Sequence, residues 1–322
     1  MEIVRSSISR AAILALAALA LAGYVVGRGV SRSGGHVGAS RSAIVADLLV
    51  SFPREWQRER NAPIGSLGLS EGAAFTPGGR ERGAGLLIGV LPKGESTPLP
   101  RALSPSLARI PAPAVVSLFE AVGQAYRYTG VAAPAFSGSL TLYAIPRAGA
   151  PTIDAVCFAP SAASAFLARC GAVVAGMTWI DQSQGYELTP QPTYAQRLAA
   201  VIGEVDASRQ RVAATRAAGA TSAGLATLAR ELGSRFARAL AGLAGIQPPA
   251  PVAGAHATLV HALGRASAAY ARLAVAANSG GTSATAAARA RVSAAEARVD
   301  EALAGFSLLG YGRSTNGGGG GG

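Results

Sequence analysis

Lysine is nearly missing from this chain: of its 29 basic residues, all but Lys93 are arginine. Cysteine is limited to Cys157 and Cys170, and histidine to His36, His256 and His261. Two cysteines exclude a disulfide-dense miniature scaffold and any four-cysteine zinc site. Three scattered histidines leave no basis for a His-rich metal centre, so no metal and no cofactor is expected. Aromatic residues make up only 6% of the chain. The arginines therefore lack the interleaved rings on which single-stranded nucleic acids stack, and nucleic acid is not expected as a partner. Charged residues are also scarce, at 14%, whereas half of the 322 residues are hydrophobic. That apolar content excludes a wholly disordered chain, and the length accommodates about two domains of roughly 150 residues.

The basic excess is uneven. Residues 190–322 carry 13 basic and 6 acidic side chains, a net +7. Residues 41–189 carry 12 and 10, only +2. Attraction to an anionic lipid or cell-wall polymer is the partner reading this supports.

Residues 11–27 form an uncharged apolar run bracketed by Arg5, Arg10, Arg28 and Arg32. At about 1.5 Å per residue the run falls slightly short of a ~30 Å hydrocarbon core, and flanking arginines can reach headgroups from inside its edge. The segment reads as a retained single-pass anchor within residues 1–28. The same residues also carry Ala20-Leu21-Ala22, a small-x-small pattern that would suit signal-peptide cleavage. Residues 29–42 are rich in Gly and Ser and read as a flexible linker.

Residues 43–185 alternate short apolar runs with turn residues. Strands are expected at Ile44–Phe52, Leu67–Phe75, Leu86–Leu91, Leu140–Ile145, Thr152–Phe158 and Val173–Ile180. Helices are expected at Ala114–Tyr128, whose Val115, Val116, Leu118, Phe119, Val122 and Tyr126 make a 3.6-period stripe, and at Ser161–Arg169. The fold class expected here is α+β, a mixed sheet covered by helices.

A strand running into Phe52-Pro53-Arg54-Glu55-Trp56, then a cysteine-bearing strand and a helix ending in Cys170, resembles the PsbP-like α/β sandwich. The resemblance covers about 140 residues and implies a binding or assembly module. A helix folding back along its strand brings Cys157 and Cys170 close, and a disulfide would suit an oxidising compartment. Two buried thiols are the alternative.

Residues 190–308 carry four apolar stripes at spacings of three and four. Leu198, Ile202, Val205 and Val212 form the first, and Leu225, Leu232, Phe236 and Leu243 mark the second. Leu259, Leu263, Tyr270 and Leu273 form the third, and Val292, Val299, Leu303 and Phe306 mark the fourth. Breaks at Gly219, Pro248–Pro251 and Gly280-Gly281 divide them into two antiparallel αα-hairpins. Such a region ending in Leu309-Gly310-Tyr311 resembles uncharacterised membrane-anchored proteins of GC-rich bacteria. Residues 309–322 read as a disordered Gly-rich tail.

Motifs for catalysis are weak. Gly68-Leu-Ser70-Glu-Gly72 matches a nucleophile elbow, but a turn follows it where a helix is required. Gly83, Gly85 and Gly89 lead into a strand, not into the helix of a dinucleotide site. His256 and His261 miss the i, i+4 spacing of paired ligands. Asp300 and Glu301 diverge on one helix and are expected on a solvated face. No catalytic residues are assigned. The expected function is a non-enzymatic, membrane-anchored extracytoplasmic binding or structural module. The alternative is a secreted protein that binds an anionic surface polymer through the basic helical region.

Overall fold

Strand β5 (Gly85–Val90) has every residue buried, which places it in the middle of a sheet covered on both faces. In the computed structural model it pairs with β4 (Ser70–Pro77) on one side and β9 (Ala150–Ala159) on the other. Adding β3 (Trp56–Glu59), β6 (Ala114–Leu118), β7 (Gly123–Val131) and β8 (Ser139–Arg147) gives a seven-stranded sheet of order β3-β4-β5-β9-β8-β7-β6. A smaller sheet has the order β1-β2-β10, from Ser40–Val45, Leu48–Pro53 and Thr178–Trp179. The structure describes residues 40–59, 63–78, 81–103 except 94, 96 and 101, 112–118, 123–133, 136, 138–161, 165–180, 185–217 and 221–312. The expected membrane segment at 11–27 and most of the linker lie outside these residues. Among the described residues, no helix is long and apolar enough to cross a membrane. Ser42–Gly322 forms one unit, described below.

The α+β class holds, but every registered strand pair of the large sheet is antiparallel, not mixed. Short hairpins join most neighbouring strands, and a hairpin reverses direction. Leu86, Ile88, Ala155 and Cys157 project to one face, where they pack with Val50, Phe52, Trp56, Phe166 and Val174. This face is closed by helix α1 (Ala165–Ala175) and the small sheet. Trp56 stacks on Phe166 with ring centroids 5.1 Å apart. A Cβ on Gly171 would approach the Tyr143 hydroxyl to 2.8 Å, so a larger residue there would require the Tyr143 side chain to shift.

Leu87, Tyr128, Leu142 and Val156 project to the opposite face and share a continuous core with the helical region. That region comprises α2 (Pro192–Ala217), α3 (Ser222–Ala244), α4 (Ala253–Asn278) and α5 (Thr282–Ser307). Their breaks fall where the glycines and prolines stand. Thr221 caps α3, accepting from the Gly224 amide at 3.2 Å. Leu225, Leu232, Phe236 and Leu243 are buried on α3, and Leu259, Leu263, Tyr270 and Leu273 on α4. Alanines between them bring the helices close while burying little area each. The packed chain runs past α5: Leu308, Leu309 and Tyr311 are all buried, so the first residues of the expected tail belong to the core.

Four other expectations change. Ala114–Tyr128 is the β6–β7 hairpin, not a helix; Phe119 and Val122 lie outside the described residues. Its β-branched Val115-Val116 pair favours a strand, and pairing Val115 with Tyr126 satisfies the same apolar positions that suggested a helix. Ile44–Phe52 is two strands, separated at Ala46 and Asp47, whose φ angles of 49° and 68° make the reversal. The helix expected at Ser161–Arg169 lies at Ala165–Ala175, and it takes up the start of the expected strand Val173–Ile180. Only Thr178–Trp179 of that strand remains.

Candidate functional site

The β8–β9 hairpin turns through Ala148 and Gly149, with Arg147 opposite Ala150. Gly149 has φ 71°, a left-handed conformation that only glycine adopts freely. The tight turn sets Arg147 at the end of its strand, where its Nε–H donates to the Pro151 carbonyl at 2.9 Å. One of its terminal nitrogens donates to the Asp47 carboxylate at 3.0 Å, and the guanidinium lies over the Trp179 ring at 5.9 Å. Arg147 thus ties the small sheet to the large one while itself remaining buried.

Beside this hairpin, the connection after β5, Tyr186 and the short 3-10 turn Ala250–Val252 complete the walls of a cleft of about 490 Å³. Lys93, Glu95, Arg147, Thr152, Tyr186 and Pro251 line it. Its walls come from both sheet and helical region, the kind of junction where ligand clefts concentrate. The single lysine noted in the sequence stands here, exposed. Glu95 already has a partner within the protein.

A second polar constellation is wholly interior. Asp154, on β9, is opposite Gly89 of β5 and Ala144 of β8, and Ala144 is opposite Tyr126 of β7. These pairings place Asp154 and Tyr126 on the bundle-facing side of the sheet. Asp154 is fully buried, and among the described residues neither of its carboxylate oxygens has a hydrogen-bond partner. Burial drives its carboxyl well above the ordinary carboxylate range. The Tyr126 hydroxyl is likewise buried without a partner, whereas the Tyr128 hydroxyl donates to the Leu308 carbonyl. Burial raises both phenols, with Tyr311 adding to the rise at Tyr126 and Asp154 to that at Tyr128.

The phenols continue into the bundle. Tyr311 meets Tyr194 edge-on at 5.4 Å, and the Gln191 amide donates to the Tyr311 hydroxyl at 3.0 Å. Tyr194 Oη lies 3.0 Å from His256 Nδ1. Burial lowers the pKa of His256, and a hydrogen bond to the Leu243 backbone opposes this. Burial thus favours the neutral imidazole, and the Tyr194 hydroxyl and His256 Nδ1 share a hydrogen bond inside the core. A third network surrounds Arg209 of α2, which reaches Asp300 at 2.8 Å and Glu296 at 3.4 Å on α5 and covers the Phe236 ring of α3. Tyr270 of α4 donates to Glu296 at 2.7 Å. These contacts hold four helices in register.

The residues marked in the sequence are thereby placed. Cys157 and Cys170 are at disulfide distance, with Cα atoms 6.0 Å apart. Ser70 opens strand β4, and its hydroxyl donates to the Val90 carbonyl at 3.3 Å, so it occupies no strand–turn–helix elbow. His256 is buried and His261 exposed, and the structure does not bring them together. Asp300 pairs with Arg209 from a half-exposed position, and Glu301 is exposed. Arg147, Asp154 and the Tyr194–His256 pair were not singled out. Asp154 did carry a signal, as the only charged residue between Arg147 and Arg169 in an otherwise apolar stretch.

No family model matches the chain, and no curated protein matches it. A crystal structure at 1.50 Å of a protein from Bacteroides thetaiotaomicron VPI-5482 is similar over 72% of this chain and 77% of that one. The two share 12% identity and superpose with a TM-score of 0.29, a likeness that carries no argument about function.

Proposed function

We propose that this protein is a non-enzymatic binding module held at the outer face of a cell membrane by residues 11–27. One observation carries the binding reading: the cleft where the β8–β9 hairpin meets the helical region, with Lys93 and Arg147 on its walls. The side chains best suited to catalysis are engaged elsewhere, Ser70 on a strand carbonyl and His256 between Tyr194 and Leu243. The cysteine pair supports the location, because thiols at bonding distance oxidise in an extracytoplasmic compartment and stay reduced in a glutathione-buffered one. The basic helical region favours apposition to anionic headgroups or wall polymers.

The test is membrane fractionation of the native protein, followed by peptide mapping without reductant. The expected outcome is retention in the membrane through a carbonate wash, with the peptides of Cys157 and Cys170 linked. A soluble protein beginning at Gly23 would overturn the anchor. Two alkylatable thiols in protein taken from its native compartment would overturn the location.

A further inference from the structure

The cleft beside the β8–β9 hairpin carries an excess of cationic over anionic side chains, and the inference drawn from it rests on the binding reading above. Two of its lining side chains are cationic and one is anionic, and the anionic Glu95 already has a partner within the protein. The cations differ in kind. Arg147 is fixed in advance by the Pro151 carbonyl, the Asp47 carboxylate and the Trp179 ring. Its orientation therefore costs a ligand little entropy. Asp47, itself exposed, pairs with it at 3.0 Å and offsets part of its charge. Lys93 is exposed, a compact ammonium on a flexible stem that can close over an oxyanion. The remaining walls are stiff: Pro92, Pro146, Pro151 and Pro251 fix their backbones. At about 490 Å³ the space suits a single small molecule.

We propose that this cleft binds a small molecule bearing a carboxylate or phosphate group, with Lys93 as the mobile cation that recognises the oxyanion and Arg147 as the fixed one. Thr152 and Tyr186 stand on the same walls and complete a polar lining. The ligand's remaining atoms would rest on proline and alanine surfaces.

The experiment is calorimetric titration of the purified full chain, in mild detergent and an uncharged buffer, with citrate and inorganic phosphate as separate probes. Binding of either probe is expected at concentrations below about 10 mM, with charge-assisted contacts supplying the affinity. Citrate alone identifies a carboxylate site, phosphate alone a phosphate site. Lys93→Ala should weaken binding by about tenfold, the loss of one charge-assisted contact. Arg265→Ala removes an exposed cation on α4 remote from the lining and should change binding by less than about twofold. Arg147→Lys keeps the charge but loses the fork, and its folding is checked by circular dichroism before titration. Absence of heat with both probes overturns the proposal, as does equal weakening by Lys93→Ala and Arg265→Ala. The titration does not depend on where the body resides: binding together with free native thiols would sink the extracytoplasmic reading and leave this site standing.

Discussion

One face of the seven-stranded sheet is closed by its neighbour in sequence, the other by a bundle whose last contact comes 180 residues after the strand it touches. On the first face, α1 follows β9 directly, and the two are further related by cysteines only 13 positions apart. Its core is aliphatic and aromatic, with Trp56, Phe75 and Phe166 at its centre. On the second face, the bundle meets Tyr126, Tyr128 and a buried carboxyl that has no partner among the described residues. The locally closed face rests mainly on apolar packing, with Arg147 and Asp47 as its polar tie to the small sheet. A face closed from far along the chain gains a directional contact as well, the Tyr128 hydroxyl on the Leu308 carbonyl.

The contrast can be broken most severely from the C-terminus. Ending the chain after Ser307 removes the buried Leu308, Leu309 and Tyr311 and should lower stability by on the order of 5 kcal/mol. An unchanged urea midpoint would show that the bundle does not need its final segment. Removing the cysteine pair, as Cys157→Ala with Cys170→Ala, tests the other face. The expected loss is about 3 kcal/mol by chain entropy, read from the same denaturation curves of the oxidised protein.

Asp154→Asn sharpens the comparison, because it should strengthen the bundle face. The folded-state carboxyl titrates above its unfolded value, so the folded chain holds more protons through that window. Wild-type stability contributed by this group is therefore fully present below the ordinary carboxylate range and is lost as pH rises through the raised value. The variant should gain on the order of 2 kcal/mol at neutral pH and nothing near pH 3, as measured by denaturation across pH. A gain independent of pH would exclude Asp154 titration as its cause.

The two neighbouring tyrosines offer a finer test. Tyr128→Phe leaves the Leu308 carbonyl without its donor and should cost about 1–2 kcal/mol. Tyr126→Phe removes a hydroxyl that has no partner among the described residues and should be neutral or stabilising. Equal losses at both positions would mean that the phenols act by bulk alone. The smallest effect is expected at the β1–β2 turn. Ala46→Gly relieves a left-handed alanine and should stabilise the chain by about 1 kcal/mol, visible as a rise in Tm.

The bundle was legible because its signals are strictly local: Gly219, Pro248–Pro251 and Gly280-Gly281 mark helix ends in any context. The central strands were legible for the same reason, as apolar runs next to Pro92 and Pro146, although β8 runs through Pro146 to Arg147. Ala114–Tyr128 was not, since its apolar spacing satisfies both a helical stripe and an antiparallel hairpin, and only a neighbouring strand decides between them. The reversal at Ala46-Asp47 left only a weak trace: Asp47 is a residue type that tolerates the left-handed region, whereas alanine is not. Lys93 stood out in the sequence, but Arg147 did not, as its role depends on a turn that brings Asp47 and Trp179 from distant strands. The cleft itself has walls from four separate segments and no contiguous signature.

The hydrogen bond from Tyr128 to Leu308 also sets a clock. At ribosomal rates of about 5–20 residues per second, 180 residues take roughly 10–40 s to synthesise. Throughout that interval the Tyr128 hydroxyl lacks its acceptor carbonyl, while earlier parts of the same core, from Leu99 and Leu103 to the helices α2 to α4, are made first. This one contact therefore forms only after α5 is complete, and the order of the chain's parts fixes which bond on the bundle side is made last.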